Sequence, residues 1–123
     1  MARRILLVED NPQNRYLMTY LLESKGHVVD VAEDGEQALT ILEDQVPDLI
    51  LMDMQLPRVD GYEATRRIKA DDRLRSVPLV ALTAHSMKGD RARAVDAGCD
   101  AFVSKPVDAE EILALVERMT ATT

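Results

Sequence analysis

The sequence predicts a three-layer, doubly wound α/β domain, and three observations lead to that prediction. Five short apolar runs, several rich in β-branched residues, are separated or followed by stretches with helical spacing. The runs are apolar throughout instead of alternating with polar residues, which is typical of parallel strands covered by helices on both faces. The length of 123 residues fits one domain with a single core.

The predicted strands follow one another at regular intervals along the chain. They cover residues 5–8, 28–32, 49–52, 79–82 and 101–103. The third run is apolar up to Asp53 and then breaks into a loop punctuated by Pro57 and Gly61. A buried strand that ends abruptly at an aspartate suggests that this carboxylate has a role at the end of the strand.

The predicted helices begin at capping residues. Asn11 and Pro12 mark the start of the first helix, which is expected to stop near Gly26. Its stripe of apolar side chains is expected to pack in the core and consists of Leu17, Met18, Leu21 and Leu22. The other caps predicted from a Gln or Glu three residues later are Asp34, Asp60 and Asp108. A weaker helix is expected over residues 87–96, before Gly98.

The composition narrows the classes of partner. With 15 Lys and Arg against 22 Asp and Glu, the net charge is −7, which argues against nucleic acid as a main partner. The basic residues that could suggest it are predicted to lie on solvated helix faces and are Arg66, Arg67, Lys69, Arg91 and Arg93. The sequence contains neither an apolar run of membrane-spanning length nor a signal peptide, so we expect a cytoplasmic protein without a membrane partner.

Cys99 is the only cysteine, and this limits disulfide and metal chemistry. An internal disulfide is excluded, and one cysteine with two histidines argues against a structural zinc site. We expect Cys99 to be a buried, inert thiol.

Polar residues collect at one predicted edge of the sheet. In parallel α/β sheets, ligands bind outside the carboxyl ends of the strands. The residues that follow strands at that edge are Glu9, Asp10, Asp53, Thr83 and Lys105. Two carboxylates about 5 Å apart repel by roughly 3 kcal/mol at an effective dielectric constant of 20, so this cluster needs a cation. Lys105 can offset part of the charge, and a hard divalent ion such as magnesium can offset the rest.

Each of these residues also has an ordinary structural interpretation. Glu9 and Asp10 could open a turn, Thr83 could cap a helix, and Lys105 could be solvated. No need of the sheet explains why four separate segments bring this set of groups to one edge, so the combination favours a functional site.

Four blocks of the sequence resemble the receiver domains of two-component response regulators. They cover nearly the whole chain and read ILLVEDNPQNR, PDLILMDMQLPRVDGYEATRRIK, VPLVALTAHSMKGD and AGCDAFVSKP. Within the family, the chain is most similar to stand-alone receivers of the DivK type and to receivers fused to hybrid histidine kinases. The starting methionine and the lack of a linker favour a stand-alone protein, and the DivK likeness alone suggests a cell-cycle role.

The resemblance implies a fold and a site. The fold would be a flavodoxin-like (βα)5 sandwich with strand order 2-1-3-4-5, formed by residues 1–119 and followed by a tail over 120–123. Asp53 would accept the phosphoryl group, Asp10 would bind Mg²⁺ directly, and Glu9 would bind it through water. Gln55 would add a backbone carbonyl ligand. Many members of the family have aspartate where this chain has Glu9. Thr83 and Lys105 would bind the phosphoryl oxygens.

The implied function is that of a response regulator in a phosphorelay. A histidine kinase or histidine phosphotransferase would donate the phosphoryl group by in-line displacement, leaving an acyl phosphate on Asp53. The chain would not be a classical enzyme, although it would promote its own phosphorylation and slow dephosphorylation. Glu9, Gln55 and His85 lie where the family tunes the hydrolysis step.

The resemblance also implies a conformational switch. Thr83 would move toward the phosphoryl group while Phe102 turns inward, which changes the surface of the fourth helix, fifth strand and fifth helix. A downstream target protein is expected on this α4-β5-α5 face. Phe102 has an equal alternative as an ordinary core residue, and the resemblance further implies a cis peptide bond between Lys105 and Pro106.

The donor protein is expected to dock near the first helix. Tyr16 and Tyr20 lie on that helix and would either project toward the docking surface or pack beneath it.

Three other functions compete with this interpretation. A haloacid-dehalogenase-like phosphatase requires Asp and Thr where this chain has Gln55 and Pro57. A flavin or nucleotide binder requires a glycine- or hydroxyl-rich loop after the first strand, where this chain has residues 9–12, EDNP. A pseudo-receiver that binds proteins without phosphorylation stays open, although the chain keeps the acidic, acceptor and lysine positions.

Overall fold

The computed structural model describes residues 3–56, 58–83 and 88–121. Strands and helices alternate along the chain, beginning with a strand. Their bounds are β1 Arg4–Val8, α1 Pro12–Glu23, β2 Val28–Ala32, α2 Gly35–Asp44, β3 Leu49–Asp53, α3 Gly61–Ala70, β4 Leu79–Thr83, α4 Lys88–Ala97, β5 Ala101–Ser104 and α5 Ala109–Thr120. Within the described residues, no helix combines the length and the apolar character needed to cross a bilayer.

The five strands form one parallel sheet in the order β2-β1-β3-β4-β5. The flavodoxin-like α/β fold is therefore confirmed. The chain runs outward from β1 to β2 and then returns to place β3 on the other side of β1. The winding direction thus reverses between β1 and β3, which is where ligands bind in open α/β sheets.

The core lies on both faces of the sheet, which explains why the strands are continuously apolar. All residues of β3 and β4 are buried. On one face, Leu6 and Ile50 pack in a cluster with residues of α2, α3 and α4. On the other face, Ile5 and Leu51 pack in a second cluster with residues of α1 and α5.

The predicted helix caps are present. The Asn11 side chain accepts hydrogen bonds from the backbone N–H groups of residues 13 and 14, and Pro12 is the first residue of α1. The side chains of Asp34, Asp60 and Asp108 each accept one from the N–H group three residues later. The side chain of Gln37 accepts from the N–H of Glu33, one residue before the cap.

Two element predictions needed correction. Leu17 was expected in the core but is 53% exposed, because α1 points only a narrow stripe, including Met18 and Leu22, at the sheet. The helix α5 extends to Thr120, one residue into the expected tail. The Thr120 side chain is buried, and its hydroxyl donates to the carbonyl of Val116 over 2.7 Å.

The prediction of a solvated helix face is wrong for Lys69. Its side chain is only 16% exposed, and its ammonium lies 2.8 Å from Asp100 Oδ2. The same nitrogen donates to the carbonyls of Arg75 and Val77. Lys69 therefore ties α3 to the segments that precede β4 and β5.

The prediction was also incomplete for Arg91 and Arg93 of α4. Their guanidinium groups lie over aromatic rings, 4.7 Å from the ring centre of Phe102 and 4.0 Å from that of Tyr62. Among residues 91–97 of α4, the buried ones are Ala94 and Ala97. Because few residues of this part of α4 are buried, these two cation–π contacts add to the packing of Ala94 and Ala97 that attaches the helix.

Cys99 is partly buried rather than fully buried. Burial is the main cause that raises the pKa of its thiol to about 11. The thiol is therefore protonated at neutral pH, which agrees with an inert role.

Candidate functional site

Three carboxylates meet at the carboxyl edge of the sheet. Glu9 and Asp10 follow β1, and Asp53 is the last residue of β3. One carboxylate oxygen from each lies within 4.8 Å of the others, and among the described residues this is the group of His, Cys, Asp or Glu side chains that could hold a metal ion. Glu9 and Asp53 are each 1% exposed, whereas Asp10 is exposed. The expected convergence of these acids is found.

Lys105 reaches this cluster from the connection between β5 and α5. Its ammonium nitrogen lies 2.9 Å from Asp53 Oδ2 and 3.2 Å from Glu9 Oε1. The backbone N–H of Lys105 donates to the carbonyl of Thr83 over 2.7 Å, which ties this connection to the end of β4. The peptide bond between Lys105 and Pro106 is cis, as the resemblance implied.

The backbone around Asp53 fixes the position of its side chain. Asp53 Oδ1 accepts a hydrogen bond of 2.9 Å from the N–H of Gln55. The N–H of Met54 donates to the carbonyl of Leu82, so the ladder with β4 continues past Asp53.

Gly61, the first residue of α3, packs directly against this backbone. A Cβ atom at Gly61 would overlap the carbonyl oxygen of Asp53 and lie 2.5 Å from the Cα of Met54. Sequence reasoning treated Gly61 only as loop punctuation and as part of a helix start. Its second role depends on a contact between α3 and the end of β3 that no local pattern specifies.

Burial and the repulsion between neighbouring carboxylates disfavour negative charge in the cluster. Burial, then a hydrogen bond and the negative charge of Asp53, raise the pKa of Glu9 to about 7, although the Asn11 N–H and Lys105 act in the opposite direction. Burial lowers the pKa of Lys105, but its hydrogen bond with Asp53 and the charges of both acids outweigh this and raise it. Lys105 is therefore charged at neutral pH, and the site favours the protonated form of Glu9 more than water does.

The donor set fits a hard divalent cation. Mg²⁺ prefers oxygen ligands at 2.0–2.1 Å in an octahedron, where ligand atoms are about 3 Å apart in adjacent positions and about 4 Å apart in opposite ones. The three carboxylates, whose oxygens lie within 4.8 Å of one another, need only small movements to reach such spacing. Binding would also relieve the repulsion that raises the pKa of Glu9.

Thr83 and Phe102 lie on the same face of the sheet. Thr83 ends β4 beside Ser104, and Phe102 stands two residues before Ser104 on β5. The Thr83 side chain is buried, while Phe102 is partly buried against the core cluster and covered by Arg91. This position is compatible with both interpretations of Phe102, as core residue and as switch. His85 lies outside the described residues.

Arg15 is a site neighbour that sequence reasoning missed. Its Nη1 atom donates to the backbone carbonyls of Glu9, over 3.1 Å, and Asp10, over 2.9 Å. Its Nη2 atom lies 3.7 Å from Glu33 Oε1. No local pattern in the sequence singles out Arg15, because its partners are backbone carbonyls that only the fold brings beside it.

An apolar cavity of about 340 Å³ adjoins the site between α1 and the start of the β5–α5 connection. Its wall includes Leu17 and Leu21 of α1, Val107, and the polar groups of Glu9 and Lys105. Leu17 thus lines a surface groove instead of the core. Tyr16 and Tyr20 lie elsewhere on α1 and are 74% and 64% exposed, so they project from the helix.

Comparison with known proteins identifies the family. The model of the response regulator receiver domain matches residues 5–117. The chain belongs to this family. Membership in this family places the chain in two-component signalling and implies that its partner is a histidine kinase.

The relatives of this receiver include both a whole response regulator and parts of kinases. The polar-differentiation response regulator DivK of Brucella anthropi is 40% identical over 117 residues, which are 95% of either chain. The receiver domain of sensor histidine kinase PA1611 from Pseudomonas aeruginosa, with a magnesium ion coordinated in its active site cleft, is 41% identical. The match covers 99% of this receiver and 100% of that domain, with a TM-score of 0.92.

A second kinase-derived structure is also similar. The signal receiver domain of a signal transduction histidine kinase from Syntrophus aciditrophicus is 32% identical, with a TM-score of 0.91. The match covers 96% of this receiver and 89% of that chain. Because the relatives include both kinds of protein, the expectation that this receiver is a stand-alone protein stays a prediction.

Proposed function

We propose that this receiver accepts a phosphoryl group on Asp53 from a histidine kinase or a histidine phosphotransferase, in a reaction that requires Mg²⁺. One observation carries the proposal. The Asp53 carboxylate is buried at the carboxyl edge of the sheet, 2.9 Å from the Lys105 ammonium, and one of its oxygens lies within 4.8 Å of oxygens of Glu9 and Asp10.

The transfer itself is a displacement at phosphorus. A carboxylate oxygen of Asp53 attacks the phosphorus of the donor's phosphohistidine, and an O–P bond forms as the N–P bond breaks. The imidazole nitrogen takes the electron pair of the broken bond, and Asp53 becomes an acyl phosphate. Little covalent chemistry is left to the protein, so its contribution is to position the nucleophile and to supply positive charge.

The residues around Asp53 have separate parts in this proposal. Asp10 and Asp53 would hold Mg²⁺ directly, Glu9 through water and Gln55 through its carbonyl. The bound ion supplies positive charge that offsets the phosphoryl oxygens. Lys105 is already charged and next to Asp53, so it can bind one phosphoryl oxygen without changing its protonation, and the Thr83 hydroxyl would bind another.

The phosphorylated state would act through contacts between proteins. Thr83 and Phe102 share one face of the sheet, which supports a coupled movement of the two side chains and a changed α4-β5-α5 face for a downstream target. Water attacking the same phosphorus would later regenerate Asp53, with Glu9, Gln55 and His85 tuning the rate. We assign the receiver domain to the expected residues 1–119 together with Thr120, the last residue of α5, and this span includes the family match over residues 5–117.

The experiment that tests this proposal is labelling by a small phosphodonor. The protein is incubated briefly with acetyl phosphate, with Mg²⁺ or with a chelator, and its intact mass is measured. One added phosphoryl group is expected only with Mg²⁺. It is expected to be lost in Asp53→Asn and kept in the matched control Asp72→Asn, whose side chain is 86% exposed.

Two outcomes would contradict the proposal. Persistent labelling of Asp53→Asn would assign the phosphoryl group to another residue. A wild-type protein that takes no label from acetyl phosphate or from a phosphorylated histidine phosphotransferase would instead support the pseudo-receiver, a protein-binding module that works without phosphorylation.

A further inference from the structure

We propose that Arg15 is a positioning residue for the metal site, an inference that rests on the proposed Mg²⁺-dependent function. Its guanidinium group donates from Nη1 to the backbone carbonyls of both Glu9 and Asp10, at 3.1 and 2.9 Å. It touches the backbone of two proposed metal-site residues without itself offering a metal ligand. The Arg15 side chain is only 20% exposed, although the Asp10 carbonyl that it contacts lies at the surface.

The site needs such a contact because its charges push its own loop outward. Glu9 and Asp53 are buried and held by Lys105, but Asp10 is exposed at the start of the connection to α1. Repulsion from the other two carboxylates favours any backbone change that moves Asp10 toward solvent. Hydrogen bonds from Arg15 to two successive carbonyls hold both peptide groups of this turn and oppose that movement.

Further contacts join Arg15 and the β1–α1 turn to the end of β2. The Nη2 atom of Arg15 lies 3.7 Å from Oε1 of Glu33, the residue that follows β2. The Glu9 N–H also donates to the carbonyl of Ala32 over 3.0 Å, so the turn is anchored to β2 at two neighbouring points. The β1–α1 turn is therefore braced between helix α1, which carries Arg15, and the neighbouring strand.

The planar guanidinium group suits this role better than an ammonium group. Two N–H groups on one nitrogen of Arg15 reach two carbonyls while the other nitrogen faces Glu33. A lysine keeps the charge but cannot reproduce this fixed fork of donors. Arg15→Lys therefore separates the effect of geometry from the effect of charge.

The sign of the effect on Mg²⁺ affinity distinguishes positioning from simple electrostatics. Removing a cation near a metal site should strengthen Mg²⁺ binding if charge alone matters. If Arg15 positions the ligands, removing it should weaken binding by about tenfold, the scale seen for groups that orient metal ligands. The two explanations thus predict opposite directions for the same variant.

The experiment measures Mg²⁺ affinity by calorimetry in wild type, Arg15→Gln, Arg15→Lys and the control Glu33→Gln. Calorimetry is suitable because the chain has no Trp to report binding by fluorescence. We expect weaker binding in both Arg15 variants and a smaller change in Glu33→Gln, which loses only the outer ion pair. Unchanged or tighter binding in Arg15→Gln would overturn the inference.

A measurement without metal separates this inference from the proposed function. In chelator, amide hydrogen exchange of residues 9–11 should be faster in Arg15→Gln than in wild type, while exchange in β3 and β4 stays the same. Equal exchange of residues 9–11 would overturn the inference even if Mg²⁺ binds. If the wild type binds no Mg²⁺ but residues 9–11 still exchange faster in Arg15→Gln, the result would contradict the proposed function. The bracing role of Arg15 would remain supported.

Discussion

The Lys105 ammonium lies between two buried carboxylates, 2.9 Å from Asp53 Oδ2 and 3.2 Å from Glu9 Oε1. One cation therefore balances two acids, and a third, Asp10, adds to the negative charge at the rim. The positive charge of Lys105 offsets the repulsion between the acids. Removing Lys105 or removing an acid should therefore change the stability of the protein in opposite directions.

Lys105→Met is expected to destabilise the metal-free protein. The variant keeps a side chain of similar length but leaves the buried Asp53 and Glu9 without their cation, so we expect a loss of about 2–3 kcal/mol in the free energy of unfolding near pH 8. Urea denaturation in chelator measures it. The exposed Lys25→Met is the control and should change stability by less than about 0.5 kcal/mol. Equal stability of the two variants would show that Lys105 does not balance the cluster.

Asp10→Asn is expected to act in the opposite direction. Asp10 is exposed and repelled by two neighbouring carboxylates, and Lys105 pairs with those neighbours instead. Removing its charge should stabilise the metal-free protein by about 1 kcal/mol, an amount limited by solvent screening. Melting curves in chelator should show this gain, and added Mg²⁺ should stabilise the wild type more than the variant. A lower melting temperature in chelator than that of Asp72→Asn would contradict a repulsive cluster.

Glu9 should make the stability of the metal-free protein depend on pH. The folded state raises its pKa from 4.5 to about 7, so folding favours the protonated form. This contribution is fully present below pH 4.5 and is lost as the pH rises through about 7. The slope from one proton is at most about 1.4 kcal/mol per pH unit. Wild type should therefore lose more stability than Glu9→Gln between pH 5 and 8, and parallel pH profiles would rule this contribution out.

Gly61→Ala is expected to be severely destabilising because the new methyl group has no room. It would meet the Asp53 carbonyl and the Met54 backbone, neither of which can move without shifting Asp53. We expect a loss of about 3 kcal/mol or more, and weaker phosphoryl labelling of any folded protein. The control is Gly26→Ala, where φ is +86° but an added Cβ atom would meet nothing within 4 Å apart from the adjacent residues. We expect this variant to lose about 1 kcal/mol in the free energy of unfolding. Similar losses in both variants would argue against the close contact.

Phe102 can be followed without interference because it is the only phenylalanine in the chain. Incorporation of ¹⁹F-phenylalanine gives one resonance that reports the surroundings of its ring. Arg91→Ala should shift this resonance because the guanidinium group lies 4.7 Å from the ring centre. Arg93→Ala should leave it nearly unchanged, since Arg93 covers Tyr62 instead. A resonance that responds to neither variant would show that Arg91 does not cover the ring in solution.

Much of the fold could be predicted because it depends on local patterns. The apolar runs of β1, β3 and β4 correspond to strands buried on both faces, and Asn11 and Asp60 cap the helices that follow β1 and β3. The acids at strand ends could likewise be expected to converge, since every carboxyl end in a parallel sheet points to the same edge. The strand order itself followed from the resemblance to the receiver family.

Contacts between distant segments could not be predicted in the same way. Arg15 looked like any helical arginine until the fold placed the Glu9 and Asp10 carbonyls beside it. Lys69 looked solvated until α3 was packed against the chain around β4, which put Asp100 within 2.8 Å.

The sequence by itself determined which residues form strands and helices, where the helices begin, and which acids reach the edge of the sheet. These properties depend on hydrophobic periodicity and on side chains that bond to their own neighbouring backbone. Only the tertiary structure decided that Leu17 would line a groove and that Gly61 would press against Asp53. Such contacts depend on how closely separate elements approach, a distance that the packing of the whole core decides.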